Sequence, residues 1–122
     1  MGPHPINLAV RFLLELSALG IMGYWGWTQG EGVFRFVLAI GIPVIAAVAW
    51  GTLAVPDDPS RSGQVPVPVP GAVRLALELA IFGLATWALY SNGHTLLSLI
   101  YGAIVVIHYL ISYDRVLWLV QQ

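Results

Sequence analysis

The sequence contains no cysteine and no lysine, and only 9% of its 122 residues are charged. Without cysteine there is neither a disulfide framework nor a thiolate site, so thiol usage carries no information about redox compartment. Without lysine the positive side chains are all arginines, and there are only five: Arg11, Arg35, Arg61, Arg74 and Arg115. No basic stripe with interleaved aromatics occurs, so no nucleic-acid partner is expected. There is no nucleophile motif, phosphate loop or cofactor fingerprint. No cofactor is therefore expected, and an enzymatic reading is weakened. No two strong ligands stand at close helical spacing, so no metal site is expected either.

What fills the chain instead is apolar: 58% of the residues are hydrophobic and the mean hydropathy is +0.82. A soluble protein this short could not bury that much apolar surface, since ordinary domains carry roughly a quarter charged residues. The apolar residues form four blocks, about 6–27, 33–55, 72–90 and 95–113. Each is close to the ~20 residues that cross a ~30 Å hydrocarbon core. The first block carries Arg11 and Glu15 and has no small-residue cleavage site, so it is expected to be a permanent helix rather than a removable signal. The expected fold is an all-α integral membrane protein, a single four-span domain over 1–122, with the lipid bilayer as its principal partner.

Short polar turns, TQGEG at 28–32 and SNGHT at 91–95, join the spans into two antiparallel hairpins. Gly93 suits a helix C-terminus and Thr95 an N-cap. Between the hairpins, residues 56–71 hold five prolines, which forbid a continuous helix and favour an extended linker. Arg11, Arg61, Arg74 and Arg115 lie toward the side of the termini and linker, and Arg35 toward the short turns. The positive-inside rule then predicts a multi-pass protein of the cytoplasmic (inner) membrane, both termini and the linker in the cytoplasm. Trp25 and Trp27 would mark the outer interface, Trp50 and Trp118 the inner one. Asp114 and Arg115 would end span four at the headgroups, leaving 114–122 as an interfacial tail.

AVRFLLELSALG (9–20) aligns with AVRLALELAIFG (72–83) at an offset of 63, placing Arg11 on Arg74, Glu15 on Glu78 and Gly20 on Gly83. Apolar helices share leucines by chance, but rarely charges. A duplicated two-span hairpin predicts copies in parallel orientation, related by a pseudo-two-fold axis along the membrane normal.

The stretches around these residues, with WGTLAVP closing span two, resemble the YrdB-like bacterial membrane proteins of the DUF2568 family. The resemblance rests on Arg11, Glu15, Trp50, Gly51, Pro56, Arg74, Glu78 and Gly83 and covers nearly the whole chain. It implies a small four-span membrane protein and brings no assigned activity. The linker, with VPVPVP, looks longer than the family's.

The chemistry lies in the ionisable residues. Arg11/Glu15 and Arg74/Glu78 stand at i and i+4, on one helix face each. Rise along the helix places the glutamates close to mid-membrane, where a charge costs at least ~2.5 to 3.5 kcal/mol. They are expected to face the bundle interior. Ser98, Tyr101, Val105, His108, Ser112 and Arg115 share one face of span four. The expected buried polar cluster is Arg11, Glu15, Arg74, Glu78, Tyr101, His108 and Ser112. Pro43 frees a backbone carbonyl in span two. Gly20, Gly23, Gly26, Ala47 and Gly51 are expected helix-contact positions, with Ala47 and Gly51 a surface for a homo-oligomer. His4 and His94 are expected to be solvated.

Three function classes follow. The foremost is permeation or transport of a proton, small cation or small solute through an oligomeric bundle. The second is a membrane-embedded enzyme or lipophilic-ligand binder that uses a buried glutamate. The third is an accessory or structural membrane subunit.

Overall fold

Glycine and polar turns cut the apolar blocks into helices where the sequence places the breaks. The computed structural model describes residues 5–56 and 66–122. Its elements are α1 (Pro5–Gln29), α2 (Val33–Thr52), β1 (Leu53–Ala54), β2 (Val67–Pro68), α3 (Gly71–Ser91), α4 (Thr95–Ile111) and α5 (Tyr113–Val120). His4, Asp57, Asp58 and Arg61 lie outside the described residues.

α1, α2 and α3 are each long and apolar enough to cross a membrane. α4 with α5, bent by 72° at Ser112, makes a fourth span when the pair is counted as one. The outer surface is apolar: Phe12, Phe34, Ile45, Leu97 and Leu110 are all exposed, and α2 has no buried residue. Contiguous apolar exposure on this scale is what lipid solvates and water does not.

The core lies between α1 and α3, with α4 closing one side. Leu14, Ala18 and Met22 meet Ile81, Phe82, Ala85 and Leu89, and Tyr101 and Val105 fill in from α4. Ala18 and Ala85 are fully buried, and small side chains of this kind let two helix backbones come close. α2 packs chiefly on α1. There Gly26 lies against the backbone of Leu38, and Gly23 against the carbonyl of Ala39 and the ring of Pro43. Pro43 has no N–H for the Ala39 carbonyl four residues back, and Gly23 lets α1 approach that oxygen.

Both turns hold a glycine in the left-handed region, Gly32 (φ 57°) and Gly93 (φ 82°). Thr95 is the first residue of α4 rather than its cap; His94 occupies the cap position without a side-chain bond. The turns touch each other: Thr28 Oγ1 donates to Asn92 Oδ1 at 2.9 Å, and Tyr24 Oη lies 3.3 Å from His94 Nε2. His94 is half-buried by that contact rather than solvated. Arg35 bonds the Trp27 carbonyl at 3.1 Å and covers the Trp27 ring.

At the opposite end the expected boundaries shift. Span two stops at Thr52, because residues 53–54 pair in parallel with 67–68 and close the base of the linker. The tail is a second helix, α5, folded across the start of α3. Leu119 is fully buried there, and a Cβ on Gly71 would collide with the Leu119 carbonyl.

Candidate functional site

The i, i+4 spacing of each Arg/Glu motif produces an intrahelical ion pair. Arg11 Nε reaches Glu15 Oε1 at 3.0 Å, and Arg74 Nε reaches Glu78 Oε2 at 2.8 Å. Beyond that the two motifs part company. Glu78 is fully buried and is the hub of the molecule. Its Oε2 also accepts from Arg11 Nη2 at 2.8 Å and Arg115 Nη2 at 2.7 Å. Its Oε1 accepts from Arg115 Nη1 and from the Tyr109 hydroxyl, both at 2.8 Å. The donors come from α1, α3, α4 and α5.

Arg74 extends the network to the fifth helix. Its Nη1 donates to the carbonyls of Trp50 at 2.6 Å and Leu53 at 2.8 Å, where α2 ends and its last carbonyls have no helical donors. The Trp50 ring lies under the guanidinium groups of both Arg74 (4.6 Å) and Arg11 (5.5 Å) and meets Phe82 edge-on. Trp50 is therefore held against the arginines.

Helix register fixes the level of this cluster. Gly26 against Leu38 and Gly23 against Ala39 bring Glu15 opposite residues 47–49, about a turn before the end of α2. Ser98 Oγ bonds the Thr86 carbonyl at 2.9 Å and Gly102 packs on Thr86. That register brings Glu78 level with Tyr109, near the end of α4. Both glutamates thus sit in the half of the bundle that carries the linker base and α5.

Glu15 is not the mirror of Glu78. Its side chain is 22% exposed, and Arg11 is its only hydrogen-bond partner among the described residues, through Oε1. It lines a cleft between α1 and α2 rather than the interior. Arg11 thus links the two carboxylates, through Nε to Glu15 and Nη2 to Glu78.

The polar face of span four is buried from Ser98 through Tyr101, Val105, His108 and Ser112 to Arg115. Its members do not join one cluster. Tyr101 Oη donates to the Leu14 carbonyl at 2.9 Å, with the apolar core around it. Ser112 Oγ accepts from Asn7 Nδ2 at 2.7 Å. His108 packs edge-on against Tyr109, makes no bond to Glu78, and its buried Nδ1 has no hydrogen-bond partner among the described residues. Arg115, expected at the headgroups, is only 3% exposed, because the bend at Ser112 turns it back onto Glu78.

Of the expected helix contacts, Gly23 touches α2, with Gly26 tighter still. A Cβ on Gly20 or Gly51 would meet nothing, and Ala47 is exposed. Reasoning from sequence missed Tyr109, Asn7 and the place of Trp50 against the arginines. Tyr109 falls one residue off the 98–115 face, so periodicity excludes it. The signal available for α5 was the pair Arg115 and Leu119, one turn apart on the buried side of a short tail.

A family profile described as "Protein of unknown function (DUF2568)" matches residues 9–106. "Uncharacterized protein YrdB" of Bacillus subtilis (strain 168) is 40% identical over 116 residues, which is 95% of this chain and 94% of that relative. No solved structure matches the chain.

Proposed function

The chain belongs to the DUF2568 family, and from its geometry we propose that it is an accessory membrane subunit. In this reading the polar cluster is a latch that holds α5 and the linker base on the cytoplasmic face of a four-span bundle. One observation carries it: Glu78 receives five hydrogen bonds from donors on four helices, and one of those donors, Arg74, also holds the end of α2. A carboxylate so occupied has no acceptor site left for a passing proton or cation. Losing it, by contrast, takes a shared carboxylate from three buried guanidinium groups. Breaking a buried ion pair from one side costs about 3–5 kcal/mol. The latch therefore makes the position of α5 and the linker a fixed property of the fold, available for display to a neighbouring membrane protein.

Permeation, the foremost expectation from sequence, gets no polar path among the described residues of a single chain. Between Tyr101 and the Glu78 cluster lie Leu14, Phe82 and Val105, all buried.

The test compares the parent with Glu78→Gln in detergent and in liposomes. The variant should unfold at a clearly lower temperature and expose α5 to protease. Proteoliposomes of the parent should show no proton or monovalent-cation flux above empty vesicles. Parent flux that disappears in Glu78→Gln, or a variant as stable as the parent, overturns the latch in favour of transport.

A further inference from the structure

The cleft between α1 and α2 has a volume of about 160 Å³ and is lined by Phe12, Glu15, Leu16, Ala46, Trp50 and Ile81, among others. Its walls are apolar except for one carboxylate. Ala46, Ala47 and Gly51 keep the α2 side low, and a Cβ on Gly51 would meet nothing. Glu15 Oε1 takes the Arg11 hydrogen bond, whereas Oε2 has no hydrogen-bond partner among the described residues. An ionised carboxylate accepts through both oxygens, about four lone-pair sites in all. One oxygen left without a donor beside an apolar wall is a costly arrangement unless something supplies one.

We infer that this cleft binds a bilayer lipid with a primary-ammonium headgroup, the ammonium donating to Glu15 and an acyl chain lying along Phe12, Leu16 and Ala46. Two features select that occupant. The cleft opens on the apolar outer surface, where Phe12 and Leu16 are exposed, so a lipid reaches Glu15 from the bilayer. The open acceptor requires a donor with N–H groups, which a quaternary ammonium lacks. Glu15 is not bonded to Glu78 but shares Arg11 with it; glutamine at position 15 keeps an oxygen for Arg11 Nε and leaves the five donors of Glu78 in place.

The test is native mass spectrometry of the purified protein titrated with phosphatidylethanolamine, phosphatidylcholine or phosphatidylglycerol. Phosphatidylethanolamine should be retained at least tenfold better than the other two. Glu15→Gln should lose that preference while keeping the parent's unfolding temperature. Ala47→Leu, which fills the cleft without touching the carboxylate, should lose retention of the same lipid. Equal retention of all three lipids would overturn the proposal, as would undiminished phosphatidylethanolamine binding in Glu15→Gln. A lipid-free dimer abolished by Ala47→Leu would also overturn it, because a second copy of the chain would then occupy the cleft. If Glu15→Gln unfolds, Ala47→Leu decides between these outcomes.

Discussion

Arg115 and Glu78, 37 residues apart, meet as a two-pronged pair, Nη1 on Oε1 at 2.8 Å and Nη2 on Oε2 at 2.7 Å. Only a planar guanidinium can engage both carboxylate oxygens in this way; a lysine ammonium is a point charge. Arg115→Lys should therefore loosen α5 while keeping the charge. The expected cost is about 1.5–3 kcal/mol, that of a hydrogen bond to a charged group. Thermal unfolding in detergent measures it. In a Leu119→Cys background the buried thiol should label faster once Arg115 is replaced; unchanged labelling would show that α5 is held by packing alone.

The two tyrosines of α4 should behave differently. Tyr109 donates to a fully buried carboxylate, whereas Tyr101 donates to the Leu14 carbonyl inside α1, which sits in a helix with its own donor. Tyr109→Phe should cost about 1.5–3 kcal/mol and Tyr101→Phe about 0.5–1.5 kcal/mol. Equal losses would mean that Glu78 does not depend on its tyrosine donor.

This contrast bears on what the sequence made legible. The repeated Arg/Glu motif named Arg11, Glu15, Arg74 and Glu78, and their ion pairs follow from i, i+4 geometry alone. The buried face of span four was likewise visible as a period in Ser98, Tyr101, His108 and Ser112. Which glutamate becomes the hub was not visible, because the motifs are near copies and the difference comes from α5, which folds over the start of α3 and not of α1. The fold of α5 itself depends on a 72° bend at Ser112 that no proline or glycine announces. The level of each glutamate against its neighbours was hidden for a related reason: it is set by the register between helices, and register is a property of the packed pair.

Glycine contacts offer a test of that register. A Cβ on Gly26 would stand 2.6 Å from the Leu38 carbonyl oxygen, backbone that cannot move aside without separating α1 from α2. Gly26→Ala should cost about 1–3 kcal/mol, the usual penalty of overpacking. Gly20→Ala meets nothing within 4 Å and should be neutral or stabilising by about 0.5–1 kcal/mol, since alanine is the better helix former. Equal effects of the two changes, read by thermal unfolding in detergent, would contradict the α1/α2 pairing.

Orientation supplies the last prediction. Arg11, Arg74 and Arg115 are buried against Glu78, yet the positive-inside bias acts while the chain inserts, before α5 has closed on α3 and the charges are paired. Their burial in the finished fold therefore does not remove them from the count. With Arg35 alone at the turn end, the N-terminus, linker and α5 should stay in the cytoplasm. Single cysteines at two exposed positions, Glu31 in the first turn and Gln121 after α5, can be introduced without competition because the chain has none of its own. In intact cells a membrane-impermeant maleimide should label Glu31→Cys and leave Gln121→Cys untouched until the membrane is opened. The reverse pattern would invert the topology, and labelling of both from outside would mean that α4 and α5 together do not complete a fourth span.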